Sequence, residues 1–229
     1  MITPTFLWLL ISHSSVIFPI YVGCKLDCNK WKTPLLVLII TTFFSCLYHW
    51  DDQDNFKGEL IFLGTNHFVH QQMDFYGSYL SFFMIIFYSI NLTNQANYFD
   101  FFLVLLNIIS VFLSLINITW YAFTFIITFL LIFYLYLIDN LDIVCLILKT
   151  FVKNKFITFL TFSSLIIAMV MQYNLCQIHN NGFYYQLYHG FWHFFLFLSA
   201  GMCILIHKSL IKIIEEEQNN SQKILCFCV

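Results

Sequence analysis

The sequence predicts an all-α, polytopic membrane protein: a seven-transmembrane helix bundle forming a single domain over residues 1–229, with its N-terminus outside and its C-terminus cytoplasmic. Three observations predict it. Hydrophobic residues make up 60% of the chain and charged residues only 10%, against ~25% charged in an ordinary soluble domain. The apolar residues gather into runs near the ~20 residues that a ~30 Å hydrocarbon core asks of a helix. The ten basic residues are all lysine, and they collect between those runs. A formal charge of -2 offers no concentrated basic face for nucleic acid. The 8 cysteines lie mostly inside or beside apolar runs, which excludes a loop-rich disulfide scaffold.

The first span, residues 5–22, has neither a basic leading region nor a small-residue cleavage site, so it reads as a retained helix that starts too close to Met1 for an ectodomain. Residues 34–50 and 72–90 form the second and third spans. The stretch 60–71 before the third mixes Leu, Ile and Phe with Asn66, His67, His70 and Gln71, and is expected to lie at the interface. Residues 101–138 contain no charge, glycine or proline. A single straight helix there would be ~57 Å long, about twice the core, so two spans are predicted, 99–116 and 118–138, with a tight turn at Asn117. Residues 156–173 and 184–207 complete the seven, followed by a short cytoplasmic tail over 208–229. The run 143–148 is too short to cross and is expected to prolong a helix or to pack at the cytoplasmic surface. Trp8, Trp31, Trp50 and Trp120 fall near span ends, where an indole sits half buried with its N–H wet.

Lysine positions fix the orientation, because cytoplasmic loops collect Lys. Lys25, Lys30 and Lys32 follow the first span, Lys149, Lys153 and Lys155 the fifth, and Lys208, Lys212 and Lys223 the seventh. These fall on one side only if 99–116 and 118–138 are separate spans. Lys57 alone lies opposite.

Polar residues inside spans are costly, so they face the bundle interior and mark function. Ser45 and His49, Asp74 and Ser78, and His189 and His193 are each four apart on one helical face. The predicted topology puts all three pairs in one leaflet. His49, His189 and His193 are the expected metal ligands, because three neutral imidazoles with an open position suit Zn²⁺, which acidifies a water. Asp74 is then placed to accept the water's proton and Ser45 to donate to an oxyanion, the arrangement for amide or ester hydrolysis. A lone histidine such as His13 reads more simply as an interhelical hydrogen-bonding residue, and Ser45 alone would read as a packing residue. His67, His70 and Asp74 share a stripe and form a rival cluster. Asp51, Asp52 and Asp54 read as a solvated acidic loop, with Asp51 also near enough to His49 to orient it. Cys24 and Cys28 read as free thiols or an acylation site.

Phe43-Phe44-Ser45-Cys46-Leu47-Tyr48-His49, Asp74-Phe75-Tyr76-Gly77-Ser78 and His189-Gly190-Phe191-Trp192-His193 occur in order at the ends of successive predicted spans. In this the chain resembles the CREST superfamily of seven-span metal hydrolases, which includes alkaline ceramidases and adiponectin-type receptors, and most of all its myomaker branch. The ending Leu225-Cys226-Phe227-Cys228-Val229 is similar to that branch's short cysteine-rich tail, which implies palmitoylation of Cys226 and Cys228. Vertebrate members of the branch lack the serine and the aspartate that stand here as Ser45 and Asp74. The resemblance implies a multi-pass plasma-membrane protein promoting hemifusion in cell-cell fusion, such as that of myoblasts, with a zinc site at the outer leaflet. The alternative it implies is a zinc-dependent lipid amidase or esterase, with Golgi or other secretory-pathway membranes as alternative locations. Expected partners are a membrane lipid, a fusion partner protein on the same or the apposed cell, and a second copy of the chain as an alternative to the monomer.

Overall fold

A computed structural model describes residues 4–51, 67–90, 141–172 and 183–227. The predicted spans 99–116 and 118–138, the turn at Asn117, and residues Asp52, Asp54 and Lys57 lie outside the described residues. All the described structure is helical: α1 (Pro4–Ser12), a 3₁₀ turn (His13–Val16), α2 (Ile17–Asp51), α3 (His67–Ile90), α4 (Leu141–Lys153), α5 (Lys155–Val170) and α6 (Phe183–Phe227). Among the described residues three helical segments are long and apolar enough to cross a bilayer: Phe6–Asp27, Asn29–Asp51 and Phe183–Glu217. A fourth counts if the bent pair Val144–Lys153 and Lys155–Val170 forms one span. The chain is thus a multi-pass helical membrane protein.

Two local features interrupt the first spans. The 3₁₀ turn occurs where Ser12, Ser14 and Ser15 each donate a hydroxyl to the carbonyl three residues back, on Leu9, Ile11 and Ser12. Side chains that bond the local backbone compete with the α-helical ladder, and Pro19, just downstream, has no N–H to give Ser15. The second interruption is Asp27, whose extended backbone (φ -162, ψ 93) breaks α2. Its Oδ1 accepts the backbone N–H groups of Asn29 and Lys30, both at 3.1 Å. That is the bonding of a helix N-cap, so Asp27 ends one span and starts the next.

Several boundaries differ from the sequence expectation. Of the stretch 60–71 expected at the interface, residues 60–66 lie outside the described residues, and 67–71 are continuous with α3 as helix. The tail after residue 207 prolongs α6 through Phe227. The run 143–148 does not prolong a spanning helix in a straight line but belongs to a helix of its own, α4, that turns through 101° into α5; its expected alternative, packing at the membrane surface, stays open to that helix. The turn centres on Asn154, whose N–H and side-chain Nδ2 both donate to the Thr150 carbonyl at 2.9 Å. Trp31 is not half wet but fully buried.

The structure packs as two compact units. One comprises Met1–Ile85 with Phe159–Met202, the other Ile86–Thr158 with Cys203–Val229. The first unit shows why so apolar a chain folds around polar groups. On α2 the residues Leu36, Ile39, Ile40 and Phe43 are exposed, while Thr41, Ser45 and His49 on the opposite face are buried. Lipid accepts the apolar face at no cost, so the polar stripe turns inward, where partners exist.

Two glycines bring the helices together around that stripe. A Cβ on Gly77 of α3 would lie 2.5 Å from Thr41 Oγ1 and 2.8 Å from its Cγ2. A Cβ on Gly190 of α6 would lie 2.5 Å from Trp8 Nε1, the indole nitrogen that donates to the Leu187 carbonyl at 3.1 Å. Only glycine permits these approaches, three residues after Asp74 in one case and one after His189 in the other.

Candidate metal centre

The polar stripe of α2, the start of α3, the start of α6 and the 3₁₀ turn all converge within the first unit. Ser45 and His49 come from α2, Asp74 from α3, and His189 and His193 from α6. All five are at most 1% exposed. Two of the three pairs picked out by four-residue spacing, and Asp74 of the third, are therefore brought to one place. His49 Nε2 lies 3.3 Å from His193 Nε2. Asp74 presents Oδ2 to His49 Nε2 and to His189 Nε2, both at 3.5 Å, and Oδ1 to His193 Nε2 at 3.7 Å.

The fourth histidine is His13. The 3₁₀ turn aims its ring at the others, 4.0 Å from the His193 ring centroid and 5.4 Å from that of His49. Its Nδ1–H donates to the Leu9 carbonyl at 2.7 Å, and its Nε2 lies 2.7 Å from Ser45 Oγ. Ser45 in turn donates to Asp74 Oδ1 at 2.5 Å. His13, expected only to meet a neighbouring helix, does lie against Ser45 of α2, but it also belongs to the cluster. One ligand atom from each of His13, His49, Asp74 and His193 lies within 4.8 Å of all the others, and all four residues are buried.

This geometry fits a metal ion. Tetrahedral zinc with ~2.0–2.1 Å bonds to nitrogen places its ligand atoms about 3.3–3.4 Å apart. The separations among His49, His193 and Asp74 are 3.3 to 3.7 Å. Two ring nitrogens and a carboxylate turned toward one point, away from water, are what a cation between them would hold. Among the described residues, neither nitrogen of His189 nor Nδ1 of His193 has a hydrogen-bond partner. His13 is anchored differently: the donation of its far nitrogen to a backbone carbonyl is the usual way a metal-binding imidazole is oriented.

Other expected residues fall elsewhere. His70 is buried against the Phe44 ring at a centroid distance of 5.9 Å and is not in the ligand group. The His67 side chain lies outside the described residues. Ser78, one turn beyond Asp74, is buried, and its hydroxyl has no hydrogen-bond partner among the described residues. Asp51 is not solvated: as the last residue of α2 it is fully buried. Ser45 does not point its proton at an open position, because the Asp74 carboxylate takes it.

Fold and site together define a multi-pass helical membrane protein with a buried histidine–aspartate cluster able to hold a metal ion. Residues 2–194 match a family described as "Protein of unknown function (DUF3522)", and the chain belongs to that family. The matched stretch contains His13, Ser45, His49, Asp74, His189 and His193. No curated protein and no solved structure matches the chain.

Proposed function

We propose that the protein is a zinc-dependent hydrolase of a lipid amide or ester bond, working inside the bilayer. The observation that carries this reading is the convergence of His13, His49, Asp74 and His193 on one buried point. A site closed by four protein ligands is structural, whereas a catalytic zinc keeps one position open. We assign three positions to His13, His49 and His193, the first because its Nδ1–H is fixed by the Leu9 carbonyl. The sequence-derived third ligand, His189, then stands beside the carboxylate. Zinc held there would supply Lewis acidity toward a carbonyl oxygen and toward a water. Asp74 accepts the proton of the attacking water. Its Oδ1 is held by Ser45, which makes Ser45 a positioning residue. The resemblance to the CREST superfamily supports the same chemistry.

The test is metal content by plasma mass spectrometry on protein purified in mild detergent, followed by incubation with ceramide and phospholipid. Metal is expected in the unsubstituted chain and in Asp74→Asn, with turnover lost in Asp74→Asn. A folded, monodisperse protein that takes up no zinc sinks the proposal. The role in plasma-membrane fusion implied by the myomaker resemblance rests on that resemblance and on Cys226 and Cys228, and no described side-chain geometry bears on it. Cytoplasmic mixing between cells expressing the chain and competent partners is its separate assay.

A further inference from the structure

Helix α4 turns an apolar side outward directly beside two lysines one turn apart. On a wheel of 100° per residue, Cys145, Leu148 and Val152 form one stripe, with Leu148 56% and Val152 66% exposed. Lys149 and Lys153 form the next stripe round. Thr150 lies on the far side, buried, with its hydroxyl bonded to the Leu146 carbonyl. The apolar stripe continues past the bend into Phe156, 73% exposed on the first turn of the apolar helix α5.

The lysine edge is fixed in space. Lys149 Nζ meets Glu217 Oε1 and Lys153 Nζ meets Glu216 Oε2, each at 2.7 Å. Two ion pairs, one helical turn apart on α4 and made to consecutive residues of α6, set how α4 is rolled about its own axis. The roll they set puts lysines and glutamates together at one edge and Cys145, Leu148 and Val152 at the other. An exposed apolar stripe beside a lysine edge, on a helix that breaks sharply from an apolar one with Phe156, Phe159 and Ile166 exposed, matches a helix lying in a membrane interface. At 13 residues α4 is also too short to span.

We infer that α4 is an interfacial helix that beds its Cys145–Leu148–Val152 stripe in the headgroup–acyl boundary of the bilayer, while Glu216 and Glu217 of α6 hold its lysine edge toward water. The occupant of the stripe is lipid. This inference is independent of the metal centre.

Spin labels placed singly at positions 144–153 of the full chain, in a background whose other reactive thiols are serine, test it in phosphatidylcholine–phosphatidylserine vesicles. Oxygen, which partitions into acyl chains, is expected to relax labels most at 145, 148 and 152. A water-soluble nickel chelate is expected to do so most at 149 and 153, out of phase with oxygen. In-phase profiles place the stripe in water and overturn the inference. Labels at 148 and 152 shielded from both reagents place protein over the stripe, a second copy included, and overturn it equally. The unsubstituted chain gives a check that needs no foreign residue at the stripe. Cys145 is expected to react faster with a lipid-soluble maleimide than with a charged sulfonate reagent, and the reverse order refutes the bedding.

Discussion

Ser45→Ala separates a hydroxyl that holds the site together from one that merely fills space. In the structure Ser45 Oγ stands between His13 Nε2 at 2.7 Å and Asp74 Oδ1 at 2.5 Å, with both partners buried. Ser45 has one proton and gives it to Asp74, while the N–H of His13 goes to the Leu9 carbonyl, so the contact between His13 Nε2 and Ser45 Oγ sets lone pair against lone pair and adds no second bond. A hydrogen bond to a charged group contributes ~1.5–3 kcal/mol, so Ser45→Ala should destabilise the protein by about 1.5–3 kcal/mol. The loss should be about the same with and without zinc, because the bond to Asp74 is present in both states, and turnover should fall as Asp74 loses its orientation. Since 1.4 kcal/mol is a factor of ten and the coupling is reciprocal, zinc affinity should change by less than about tenfold. Competition with a chelator of known affinity reads that affinity, and thermal unfolding with and without zinc reads the other side of the cycle. Zinc binding weakened about tenfold or more would refute the reading of Ser45 as a residue that positions Asp74 and does not hold the ligands.

Three further outcomes are expected. His13→Gln should empty the metal site, while His189→Gln, beside the ligands, should weaken zinc by about 10–100-fold; metal analysis that finds the reverse order restores His189 to the ligand set. Gly190→Ala forces a Cβ to within 2.5 Å of Trp8 Nε1 and should cost ~1–3 kcal/mol through overpacking and a displaced indole, read as a lower melting temperature that Trp8→Phe partly restores. Lys153→Ala removes an exposed ion pair with Glu216, and because water screens such pairs the melting temperature should not move, although the roll of α4 should loosen.

The membrane helices were legible wherever a span is an uninterrupted apolar run, as in residues 34–50 and most of α6. Their ends were less legible, for reasons that differ from place to place. Asp27 reads in sequence as a loop residue between lysines, but it is a cap for the helix that follows, so two spans join with almost no loop. The polar content of residues 60–71 gave no sign that α3 begins at His67, with His70 already buried on its first turn. Beyond residue 207 the hydrophobic pattern fades, and the pattern alone gives no sign that Lys149 and Lys153 on another helix pair with Glu217 and Glu216 of α6. Side-chain partners far apart in sequence decide these boundaries, and hydropathy does not record them.

The site tells a sharper version of the same story. Four-residue spacing found Ser45 with His49 and His189 with His193, because a helix presents both members of such a pair to one neighbour. It could not find His13, which has no histidine, aspartate or serine four residues away on either side. The signal that would have found it is compositional: Ser12-His13-Ser14-Ser15 is a polar quartet in the middle of an otherwise apolar span. Such a quartet is unfavourable in lipid unless its groups are satisfied internally. Here the serines turn back onto the chain and the histidine turns inward, and the 3₁₀ turn produced by the first effect gives the second its direction. A polar cluster that disturbs its own helix is thus a better pointer to a buried centre than a lone polar residue on a regular one. In this chain it supplies the imidazole best anchored for holding a metal.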